Sequence, residues 1–123
     1  MAAFAVVQNR THAIDEPPRI RICDTFGSRL RGLMFRPSLG RNEGLLLVGT
    51  HDGRWDAAIH MLMVPFDLAV VWINSGMEVV DRVLARAWHM AYVPARPARY
   101  VLELHPDRYA AYDIGNVVEI IDA

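Results

Sequence analysis

The chain has 123 residues and a formal net charge of −1, from thirteen basic side chains, all of them arginine, set against fourteen acidic ones. That size suits one domain, and the charge balance lacks the broad positive field that draws proteins onto nucleic acid or an anionic membrane, so neither partner is expected. With 53% hydrophobic and 22% charged residues the composition is globular, and the single cysteine, Cys23, excludes an internal disulfide and a multi-cysteine zinc site.

The N-terminal MAAFAVVQNR has no charged stretch ahead of its short apolar run and reaches Arg10 early. It reads as a first strand rather than a signal peptide, and a soluble cytoplasmic protein is expected. Alternation over Phe4 to Val7, and again over Arg19 to Ile22 after the Asp15-Glu16-Pro17-Pro18 turn, predicts two short strands. Asp24 and Thr25 then supply N-cap chemistry. Phe26, Arg29, Leu30, Leu33 and Met34 recur at spacings of three and four, which predicts a helix of about ten residues with Gly32 inside it. Pro37 and Gly40 close the segment.

Leu45 to Val48 is a continuous apolar run between glycines, as in a strand buried on both faces. A polar loop follows from Thr50 to Asp56, then strand character from Ala57 to Met63. Pro65-Phe66-Asp67 breaks this stretch, so no window reaches the roughly 18 apolar residues of a membrane span. Leu68 to Ile73 and Met77 to Leu84, joined through Asn74-Ser75-Gly76, predict a central hairpin. Arg86 to Arg96 reads as irregular, Arg99 to Leu104 as a strand, and Val117 to Ile121 as the last strand. His105-Pro106-Asp107 opens a second short helix. Strands joined mostly by turns predict an α+β, mostly β domain: an antiparallel or mixed sheet curled into a partly closed barrel with two short helices.

Four segments share a pattern: Arg29-Leu30-Arg31-Gly32-Leu33-Met34-Phe35-Arg36-Pro37-Ser38-Leu39, Glu43-Gly44-Leu45, Ile59 to Asp67, and Ala98 to Glu103. Together they resemble domain-of-unknown-function family 192 over about residues 19 to 121. The resemblance implies a compact β-rich domain from bacteria or archaea, often secreted or lipid-anchored, whose motifs carry no agreed catalytic role. Met61 and Leu62 stand where that family often has Asn-Thr, and Asn116 follows Gly115 where an acidic residue is common.

His60, Met61, Met63, His89 and Met90 contain soft-metal donors, but alternation along a strand sends neighbours to opposite faces. Packing is the preferred reading, and neither metal nor cofactor is expected. Asp67 is read as a buried carboxylate paired with Arg31 or Arg36. The same arginines could instead clamp an external anion beside His60. The expected function is therefore a non-catalytic domain that takes a small anionic ligand or a protein in a cleft between the first helix and the central hairpin. Arg31, Arg36, His60 and Asp67 are its candidate binding residues, and no catalytic residue is assigned. The alternative is an enzyme acting on a small anionic substrate, with His60 and Asp67 moving protons. Among the tryptophans, Trp55 and Trp88 are the candidates for exposure.

Overall fold

A computed structural model describes residues 3–123, apart from the side chains of Phe26 and Leu30. Seven strands form one sheet: β1 (Phe4–Asn9), β2 (Arg19–Cys23), β3 (Glu43–Gly53), β4 (Leu68–Ile73), β5 (Val79–Ala85), β6 (Ala98–Leu104) and β7 (Val118–Asp122). Their spatial order is β5-β4-β6-β3-β2-β1-β7. Only β2 and β3 run parallel among these pairings. The two sheet edges approach one another, since Glu78 bridges Val117 and the Val79 N–H donates to Asn116 O at 2.9 Å. The mixed sheet thus curls into a half-barrel, as its pattern of strands and turns predicts.

Strand alternation sorts the apolar residues onto two faces, and both are covered. One face carries Leu45, Leu47, Val70, Trp72 and Val101, against which Leu33, Met61 and Val64 pack. The other carries Leu46, Val48, Val71, Leu102 and Leu104, closed by Tyr112 beyond a 3-10 helix at Pro106–Ala111. Every residue of β4 is buried, which explains its unbroken apolar run. Glu103 stands on the first face opposite Leu45 and Val70, a charged residue in the middle of a hydrophobic layer.

Three elements differ from expectation. Helix α1 covers only Phe26–Arg31. A reciprocal cap starts it, with the Ser28 N–H donating to Thr25 Oγ1 and the Thr25 N–H to Ser28 Oγ. Gly32 ends it at φ +48°, ψ −122°, a conformation open to glycine and hostile to other residues. Residues 57–63 form no strand but a looped segment holding one isolated bridge, Ile59 to Tyr92, and Met63 sits at φ +61°. β3 instead runs on to Gly53 through the stretch expected to be loop, with a register shift between Val48 and Gly53.

Candidate functional site

α1 and the residues after it lie against the face of the sheet that carries Glu103. Between them and residues 56–64 opens a cleft of about 420 Å³. Leu33, Leu47, Ile59, Met61, Val64 and Val101 supply its apolar walls, and Arg29, Arg31, His51, His60, Arg99 and Glu103 its polar groups. The hairpin β4–β5 contributes Leu68 alone, so the cleft lies between α1 and the β3–β6 pair, not between α1 and the hairpin as expected.

Glu103 is the chemical centre of this cleft. It is 5% exposed, and its carboxylate accepts no hydrogen bond from any described residue. No fully enclosed polar side-chain atom among the described residues lacks a partner, so the Glu103 oxygens must reach the cleft instead of being sealed in the core. A Cβ on Gly32 would come within 3.8 Å of Glu103 Oε1, which places the end of α1 directly over the carboxyl. Loss of hydration pushes this carboxyl up to about 7. Near neutral pH it therefore exists as a mixture of a donating acid and an accepting carboxylate.

The cleft's arginines do not neutralise Glu103, because two of them are committed elsewhere. Arg29 Nη1 donates to Val48 O at 2.8 Å, and Arg99 Nε donates to Gly49 O at 3.0 Å. Those bonds fix the guanidinium groups but leave their charge uncompensated. Arg31 has no ion-pair partner among the described residues. At the rim, His51 Nε2 lies 2.8 Å from Asp56 Oδ2, and His51 Nδ1 lies 3.0 Å from Thr50 Oγ1; the His51–Asp56 pair is largely exposed.

Of the four residues singled out by sequence, Arg31 and His60 line the cleft. The His60 ring holds its own loop, with Nδ1 accepting the Leu62 N–H at 3.2 Å. Arg36 does not line it: it borders a second depression with Arg21, Cys23 and Arg31, and pairs with Glu43 at 3.3 Å. Asp67 borders neither. It is exposed, and its Oδ1 accepts the Ala87 N–H at 2.9 Å, so the expected buried pairing with Arg31 or Arg36 is replaced by a cap on the 86–88 turn. His60 and Asp67 are therefore not brought together in this cleft. Burial raises the Cys23 thiol, which leaves little thiolate for chemistry beside that depression.

Among the described residues, no three His, Cys, Asp or Glu side chains converge on a point able to hold a metal ion. Sequence reasoning passed over Glu103, Arg29 and Arg99. The available signal was the acidic residue in phase with Val101 in a strand otherwise apolar from Val101 to Leu104.

Comparison with known proteins places the chain in a wider group. A Thermococcus sibiricus protein of the UPF0127 group is 39% identical over 85 residues, 69% of this chain and 53% of its own length. The chain thus spans about half the length of that relative. A Novosphingobium aromaticivorans protein of unknown function shares the fold at a TM-score of 0.80 and 21% identity, over 94% of this chain and 83% of its own. A Sinorhizobium meliloti chain, named as a candidate transcription regulator, shares it at 0.82 and 18% identity, over 97% and 95%. The family model described as an uncharacterized ACR matches residues 6–120, further toward the N-terminus than the motifs alone suggest. With nearly its whole length matched, the chain belongs to domain-of-unknown-function family 192.

Proposed function

We propose that this domain binds a small organic anion in the cleft over Glu103 without transforming it. The observation that carries the reading is Glu103 itself, buried in an apolar layer with no partner among the described residues and its oxygens turned to an accessible cleft. A buried polar group left unpaired is costly, and a ligand that pairs with it recovers that cost. Arg29, Arg31 and Arg99 place positive charge along the walls against the one exposed carboxylate of Asp56, which favours an anionic group on the ligand. The walls are otherwise apolar, which suits a compact carbon skeleton. Catalysis finds less support, because His60 and Asp67, the proton-transfer groups of the alternative reading, do not meet in this cleft.

The test is a thermal-shift and NMR screen of small carboxylates, phosphates and sugar acids, run at about pH 6 and pH 8. An anion should stabilise wild type more at pH 6, where Glu103 is neutral, and should lose its effect in Arg31→Ala. Stabilisation by amines that strengthens above pH 7 would show that the cleft takes a cation through ionised Glu103, and the proposal would fail.

A further inference from the structure

Three of the four non-glycine residues with positive φ among the described residues, Phe35 (+66°), Met63 (+61°) and Trp88 (+65°), meet at one end of the molecule. Bulky side chains are rarely found in this left-handed conformation. Here they are also turned to solvent: Phe35 is 69%, Met63 42% and Trp88 54% exposed. Strain that presents apolar side chains to water stabilises nothing in the isolated fold, so it points to a use at the surface.

The three turns are knitted together by their backbones. The Phe35 N–H donates to Met63 O at 2.9 Å, Met61 N–H to His89 O at 2.9 Å, and Trp88 N–H to Met61 O at 3.0 Å. Irregular backbone can enter a water-poor layer only when such donors are already satisfied, and these are. Leu62 and Met90, also exposed, extend the apolar surface in the same loops.

Charge narrows the occupant. The loops joined by these bonds, residues 33–36, 59–64 and 86–92, contain no aspartate or glutamate, while Arg31, Arg36 and Arg86 lie within or beside them. Two acids border them: Asp67 accepts the Ala87 N–H and Glu43 pairs with Arg36, which leaves Arg31 and Arg86 without an ion-pair partner among the described residues. An overall charge near zero conceals this segregation.

We propose that the Phe35–Met63–Trp88 tip docks on the surface of an anionic phospholipid bilayer. The aromatic and methionine side chains enter the headgroup–acyl boundary, and Arg31 and Arg86 meet lipid phosphates. A protein segment held in a groove is disfavoured because Phe35, Trp88 and Met90 are exposed and line neither the cleft nor the depression beside it. The loops that carry the tip also turn Leu33, Met61 and Val64 inward onto the cleft.

The experiment compares the full chain with Phe35→Gly/Trp88→Gly, in which glycine accepts the observed φ and removes only the exposed rings. Each protein is pelleted with phosphatidylcholine vesicles and with vesicles containing about 30% phosphatidylglycerol at low salt. Wild type should prefer the anionic vesicles by roughly tenfold or more, and the variant should lose that binding while melting at or above the wild-type temperature. Absence of wild-type binding to anionic vesicles would overturn the proposal, as would equal binding by the variant. A dimer in sedimentation velocity that the variant dissolves, without vesicle binding, would assign the tip to a second copy of the chain instead.

Discussion

Glu103 occupies a site that leucine would fill at lower cost, since it shares its layer with Leu45, Val70 and Val101. At pH 8 its carboxylate is ionised in surroundings that do not solvate it. Glu103→Leu is therefore expected to raise the melting temperature at pH 8 and to abolish anion binding in the cleft, a trade of function for stability. An unchanged melting temperature would mean that water already solvates the carboxyl.

Two glycines hold the backbone around this residue for different reasons. A Cβ on Gly44 would fall 2.6 Å from Glu103 O and 2.7 Å from Leu104 Cδ2, so Gly44→Ala should displace β3 from β6. At Gly32 there is room, with contacts of 3.7 and 3.8 Å, and the obstacle is the conformation at φ +48°. Gly32→Ala should cost roughly 1–3 kcal/mol of unfolding free energy through backbone strain, not overpacking. Chemical denaturation of the two variants separates these causes, because the Gly44 change should also disturb amide shifts along β6.

At the scale of elements, the strands were legible because period-two alternation, as in Phe4–Asn9, and unbroken β-branched runs, as in Leu68–Ile73, are local signals. α1 was overextended because Leu33 and Met34 continue the helical spacing, while Gly32 takes the positive φ that ends the helix before them. Residues 57–63 look like a strand for a similar reason. Their apolar side chains are set by Trp72, whose indole N–H donates to Ala57 O at 2.7 Å, and by loop-to-loop hydrogen bonds that no local pattern encodes. The candidate site was only half visible: Arg31 and His60 were found, whereas Glu103 depends on which face of β6 the fold covers.

Asp67 belongs to this scale too, as a cap on a turn and not as a buried ion pair. Asp67→Asn should lower stability by about 1 kcal/mol or less, and its effect should add to those of Arg31→Ala and Arg36→Ala in double-mutant cycles. Coupling above about 1 kcal/mol with either arginine would restore the buried pair.

For the whole molecule, one titrating group should shape the dependence of stability on pH. The Glu103 carboxyl stands at about 7 in the folded protein against an ordinary 4.5. Below the ordinary value both folded and unfolded chains hold the proton, and ionisation costs nothing. Between these values the unfolded chain releases it while the folded chain keeps it, so stability falls as pH rises and levels off above about 7. The difference corresponds to about 3 kcal/mol. Urea titrations of wild type and Glu103→Gln across this range should show the decline in wild type and a flatter profile in the variant.

The most direct test of the central claim is an NMR titration of the Glu103 side-chain carboxyl carbon, assigned by comparison with Glu103→Gln. The account predicts a midpoint near pH 7 that moves upward when an anion occupies the cleft, because a neighbouring negative charge disfavours ionisation. A midpoint in the ordinary carboxylate range, unmoved by any anion, would contradict it.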